Sequence, residues 1–165
     1  LGAFDFDDNK TPMWHPERRT EPAYEQEGWV SIWIGTAESE EAIEEYMAED
    51  EYDEEADADK PASKFGRDWK LCYDHDYLFH EGYAKPKPVK ALLQGWRGAK
   101  LFTKAALAAA ETVGVKEGNF IVVGYDLDYS QKAPFSTLDA AGYWRLKGKP
   151  NAKSPLKFIG AFPSS

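Results

Sequence analysis

Residues 28–35 read GWVSIWIG, a β-branched and aromatic run with a glycine at each end and one polar residue, Ser31, inside it. A run of this kind is a strand. Its near-continuous apolarity means that both faces are covered, since a strand with one wet face alternates apolar with polar residues. The fold must therefore place a layer on each side of this strand. The chain has the material to do so: 165 residues suit one ordinary domain, and six Trp, nine Tyr and nine Phe bring large apolar area to a core or an interface.

The segments around this strand alternate in type. Before it, residues 1–27 carry Pro12, Pro16 and Pro22 among charged residues with no sustained period, and read as an extended arm. After it, Thr36 or Ser39 can cap a helix with Glu38, Glu40 and Glu41 in its first turn and Ile43, Tyr46 and Met47 on its inner face. This helix should fray near Glu51 into an acidic loop ending at Pro61, because dense like charges oppose a regular helix. Ser63–Trp69 reads as a helical turn, WKLCY as a second strand, YLFHEGY as its continuation, KPKPV as a linker and Val89–Trp96 as a short helix. Residues 99–114 form the clearest helix, with Ala99, Phe102, Ala106, Ala109 and Val113 as its apolar stripe. Asn119–Tyr125 is a strong strand, and PLKFIGAFP closes the chain as another. The pattern predicts a single α+β domain over residues 28–165: one mainly antiparallel or mixed sheet of about four to five strands, with helices packed on it.

Charge divides the chain unevenly. Residues 1–60 hold 20 of the 29 acids but 4 of the 20 bases, a balance of −16, whereas residues 61–165 balance at +7. Between Glu38 and Asp59 there are 13 acids and no base. The overall −9 argues against non-specific nucleic-acid binding, which depends on neutralising phosphates with Lys and Arg. It favours a basic protein partner drawn in by electrostatic steering. A lone cysteine, Cys72, rules out an internal disulfide and reads as a buried, inert thiol. No run approaches the ~20 apolar residues of a membrane span, and the first residues lack the regions of a signal peptide, so the expected compartment is the cytoplasm and no membrane partner is expected.

Two stretches repeat one pattern, Tyr-Asp-X-Asp-Tyr: Tyr73–Tyr77 (YDHDY) and Tyr125–Tyr129 (YDLDY). Asp74, His75, Asp76 and His80, joined by Asp126 and Asp128, have the donor types for a transition-metal ion. In an extended segment, however, Asp74 and Asp76 point to one side and His75 to the other, so the first copy cannot close on one ion without a bend. Paired-carboxylate catalysis would need one acid kept protonated beside an ionised one, and nothing in the sequence marks such burial. The chain has no nucleophile elbow, phosphate loop, dinucleotide fingerprint or zinc-protease motif, and no cofactor is called for. The plainest reading is that each Asp ends a strand and bonds local backbone amides. If the two copies adjoin, they would instead form an acidic patch framed by Tyr, suited to a basic protein surface.

WVSIWIG, an acidic helix with EEYM, SKFGRDW, YDHDY, IVVGYDLDY and the terminal LKFIGAF, in this order, resemble the bacterial immunity protein 22 family over roughly residues 28–162. The resemblance implies a non-catalytic protein, encoded beside a polymorphic or contact-dependent toxin, that protects its producer by binding that toxin. Trp29, Trp33, Gly35, Phe65, Trp69, Phe158, Gly160 and Phe162 match fold positions of the pattern, and Asp74 and Asp76 match its Asp pair. The expected toxin-binding set is Asp74, Asp76, Tyr77, Asp126, Asp128 and Tyr129, with Glu44, Glu45, Asp50 and Asp53 from the acidic segment. The alternative is a metal-dependent enzyme or metal-binding domain built on the same Asp pairs with His75 and His80.

Overall fold

The expected central strand exists and is longer than its composition marks: β1 spans Glu25–Gly35, so residues 25–27 lie in the strand rather than in the arm. The computed structural model describes residues 25–50, 61, 63–73, 75–130, 144–145 and 148–165; the arm of residues 1–24 and Asp53 and Asp74 of the expected site lie outside the described residues. β1 is hydrogen-bonded on both sides within a four-stranded, wholly antiparallel sheet of order β3-β4-β1-β6, where β3 is Leu78–Pro88, β4 Glu117–Leu127 and β6 Leu156–Pro163. Two short strands, β2 (Leu71–Cys72) and β5 (Trp144–Arg145), pair with each other outside this sheet. Among the described residues, four helices complete the α+β domain: α1 (Glu40–Met47), α2 (Lys64–Trp69), α3 (Val89–Leu92) and α4 (Ala99–Thr112).

The helices cover both faces of the sheet, as the apolarity of β1 requires. Trp33 and, from β4, Phe120 and Val122 face α1 and α2; Val30, Ile32 and Ile34, with Ile121 and Val123, face α3 and α4. Every one of these side chains is fully buried, and each stabilises the fold by roughly 1.5–3 kcal/mol of transfer free energy. Trp33 lies at the centre of an aromatic cluster, with ring centroids 5.1 Å from Phe65, 5.9 Å from Trp69, 5.1 Å from Tyr129 and 5.2 Å from Phe158.

Helix α1 starts where Ser39 accepts the Ala42 amide at 3.0 Å, and buries Ile43, Tyr46 and Met47 as its period predicts. It stops at Met47, short of Glu51. No basic residue stands in its last turn, and Glu49 and Asp50 bring negative charge to the negative end of the helix dipole. The Tyr46 hydroxyl donates to Asp68 at 2.8 Å and lies 2.7 Å from the Ser154 hydroxyl, which also accepts the Trp69 indole N–H at 3.1 Å. This knot joins α1, α2 and the approach to β6. Burial, foremost, raises the Tyr46 pKa well above the usual tyrosine range.

Three local expectations are corrected. WKLCY contributes only the two residues of β2, because Lys70 takes a left-handed backbone (φ 54°) to close α2. KPKPV is not a linker: Lys85–Pro88 are the far end of β3, an edge strand where proline's missing N–H costs no sheet bond, and Val89 opens α3. On α4 the buried stripe is Phe102, Ala106 and Ala110, while Val113 is 39% exposed as the C-cap, one residue past the helix.

Candidate functional site

The two Tyr-Asp-X-Asp-Tyr stretches meet. The second ends β4, and the first leads into β3, its antiparallel neighbour, so both lie at the same end of the sheet. The Tyr125 amide donates to the Tyr77 carbonyl at 2.9 Å, extending the ladder by one residue pair into both copies. Antiparallel pairing gives this proximity because the motif precedes one strand and follows the other.

Within the second copy the residues diverge. Asp126 has a left-handed backbone (φ 56°), a conformation that Asp tolerates better than most side chains. It shifts the alternation of β4 by one, so that Tyr125 packs with the α3–α4 core while Leu127 and Tyr129 pack with the α1–α2 core. Its Oδ1 accepts the Gly28 amide at 3.0 Å, where β1 carries three extra residues against β4 and Gly28 itself is left-handed (φ 79°). Asp128 bonds locally, accepting the Ser130 amide at 3.0 Å and hydroxyl at 2.5 Å. The two tyrosines secure opposite layers: Tyr125 donates to the Arg97 carbonyl at 2.9 Å, and Tyr129 to the Trp69 carbonyl at 2.5 Å. Ser31, the single polar residue of the apolar run, is buried between the strands and completes this end. Its hydroxyl donates to the Leu127 carbonyl at 2.8 Å and accepts the Tyr129 amide at 2.9 Å.

Asp126→Ala is therefore expected to cost about 1–2 kcal/mol, the sum of a lost hydrogen bond and a left-handed backbone forced on alanine. Asp126→Asn, which keeps the acceptor and tolerates that backbone, should retain most of the stability. Urea midpoints of the two variants check this; equal losses would show that Asp126 does not hold the β1 bulge.

In the first copy, Tyr73 and Tyr77 are partly buried against the α1–α2 core. The Tyr73 hydroxyl lies 2.8 Å from that of Ser63, and its pKa is pushed up to about 12, chiefly by burial, with Glu49 and Asp50 adding to the effect. Asp76 is exposed and lies 3.2 Å from His75 Nε2, whose other ring nitrogen is 3.9 Å from Glu49. Asp50 pairs with Arg67 at 2.7 Å. Glu44 lies 3.1 Å from His80, while Glu45 is exposed on α1. Among the described residues, the weighed metal donors thus divide: His75 and Asp76 lie together near Glu49, while His80 turns to α1, Asp126 to Gly28 and Asp128 to Ser130. Among the described residues, no three His, Cys, Asp or Glu side chains gather as a metal site.

What the geometry does assemble is a surface. Helix α1 crosses β3 at close range because Gly82 has no side chain; a Cβ there would stand 2.8 Å from Ile43 Cδ1. The outer side of α1 presents Glu40, Glu41, Glu44 and Glu45 to solvent, followed by Glu49 and Asp50, with Asp76 exposed just before β3. The sequence marks most of these acids and, as a metal donor, His80, but not Phe79 or Glu81, which share the strand beside them; the only signal of those two is membership of an edge strand, and edge position is not local information.

A family model described as immunity protein 22 matches residues 30–163. The chain belongs to the immunity protein 22 family. No curated protein and no solved structure is similar enough to this family member to count as a match. The match takes in β1 from Val30 onward and the whole of the other described strands, with both Tyr-Asp-X-Asp-Tyr stretches and α1. No helix among the described residues is long and apolar enough to cross a membrane.

Proposed function

We propose that this immunity protein 22 family member neutralises a cognate toxin in the cytoplasm of the producing cell by stoichiometric binding, without catalysis, and that it meets a basic surface of that toxin with its acidic side. Membership of the immunity family is the observation that carries this reading. The exposed carboxylates of α1, continued by Asp50 and Asp76, support the charge of the partner: they lie on one side of the fold and offer charge-assisted bonds to Lys or Arg. Asp53, Asp74, Tyr77, Asp126, Asp128 and Tyr129 complete the proposed binding set. Asp126 uses one oxygen on Gly28 and Asp128 one on Ser130, each keeping the other for a partner, while Tyr77 and Tyr129 set the shape of that end of the sheet.

The toxin is proposed to be a polymorphic or contact-dependent effector encoded beside this chain, and a nuclease is one activity that suits a basic protein. The test mixes the purified protein with the toxin domain of the adjoining reading frame. The expected result is a 1:1 complex without toxin activity, whose association slows as salt rises from low to physiological strength. Absence of a complex at micromolar concentrations would overturn the proposal.

A further inference from the structure

The sheet has two edges, and they are built differently. On β6 the register against β1 shifts in mid-strand, between the partners of Ile32 and Trp33, and the strand ends at Pro163. On β3 the second half is guarded: the register against β4 shifts between Gly82 and Lys87, and Lys85, Pro86, Lys87 and Pro88 stand there. Lysine, proline and bulges are the usual means of blocking strand addition. The first half, Leu78–Gly82, has none of these and runs in unbroken register from Gly124 to Phe120.

The direction of the free backbone groups follows from one bond. Tyr125 donates to the Tyr77 carbonyl, so Tyr77, Phe79 and Glu81 turn their backbone groups towards β4. By alternation, Leu78, His80 and Gly82 turn theirs outward. No described residue bonds those outward groups. Side chains flank the edge on both faces. On the α1 face, His80 is joined to Glu44; on the other, Phe79 is 42% exposed with its ring 5.9 Å from that of Tyr125, and Glu81 is exposed beside it. Asp76 lies just before the edge begins.

We propose that the outer edge of β3, over Leu78–Gly82, takes up an extended basic segment of the partner as a fifth strand. Main-chain bonds form at Leu78, His80 and Gly82. Alternate Lys or Arg side chains of the segment meet Glu44 and the neighbouring acids of α1, and the intervening apolar side chains pack on Phe79. The length of the added strand is set by the guarded half, since Lys85 and Lys87 repel a basic segment beyond Gly82. Charge also selects against a second copy: pairing β3 with β3 about a two-fold axis would bring two acidic α1 helices side by side. The inference rests on the toxin-binding reading and specifies where the toxin sits.

The test uses the full chain with the purified toxin domain of the adjoining reading frame. Residue-resolved amide exchange by NMR should show the Leu78, His80 and Gly82 amides exchanging freely in the protein alone and slowed about tenfold or more in the complex, with Phe79 and Glu81 protected in both. His80→Pro, which removes one outward N–H and leaves the β4 ladder intact, should weaken binding about tenfold. His80→Ala, which keeps that N–H, separates this loss from that of the contact with Glu44. Should the proline variant fail to fold, the exchange pattern of the unaltered chain decides. A neutralising complex in which these three amides exchange as in the free protein would overturn the strand-addition site and leave the immunity reading standing. Protection that appears without toxin and grows with protein concentration would assign the edge to a second copy and overturn it too. If no complex forms, both proposals fall together.

Discussion

Trp33→Ala is expected to cost about 3–5 kcal/mol, a large share of the roughly 5–15 kcal/mol that holds an ordinary domain folded. Trp33 is fully buried, and its ring touches aromatic residues from α2, the end of β4 and β6, so its removal leaves a large cavity where three elements join. Trp33→Phe should be far milder, about 1–2 kcal/mol. The buried Trp33 indole N–H has no acceptor among the described residues, and leaving a buried donor unpaired costs roughly 1–3 kcal/mol; phenylalanine removes that penalty while losing part of the packing. Guanidinium unfolding of the two variants measures the difference. Equal losses would mean either that the N–H is satisfied or that ring size alone governs the site.

The second large effect concerns binding. Glu44→Lys, Glu45→Lys and Asp76→Lys combined should lower affinity for the toxin at least about a hundredfold, since like charges opposed across an interface cost several kcal/mol. The variant should fold normally. All three side chains are exposed, and surface pairs such as Glu44 with His80 contribute only ~0–1 kcal/mol. The association rate should fall, and its dependence on salt should flatten or reverse. Glu111→Lys, an exposed charge reversal on α4 across the sheet from α1, serves as the control and should bind as the parent does. Affinity unchanged in the triple variant would refute the acidic surface as the binding face.

The two predictions differ in how far the residues announced them. Trp33 and its strand were legible because burial on both faces writes itself into composition: with helices covering each side, no polar alternation is allowed. Helix α1 was legible for a similar reason, its inner face at Ile43, Tyr46 and Met47 being set within one or two turns, while the structure chose Ser39 over Thr36 as its cap. The acids of the binding set were visible as charge, but their employment was not. Asp50 pairs with Arg67, 17 positions away, and Asp126 holds Gly28, 98 positions away. The first Tyr-Asp-X-Asp-Tyr stretch looked like the end of a strand and is the approach to one, because Lys70 turns the chain after α2 and leaves β2 only two residues long.

The sequence by itself determined the layers, a helix start at Thr36 or Ser39 and the segregation of negative charge, since each depends on neighbouring residues or on summed composition. Tertiary structure alone decided that the two Tyr-Asp-X-Asp-Tyr stretches adjoin, that Asp126 reverses the facing of β4, and that the open half of β3 lies under the acidic helix. Each of these depends on which strand pairs with which, and in what register. Strand pairing joins backbone groups that carry no side-chain signature, so its partners become visible only when the chain has folded.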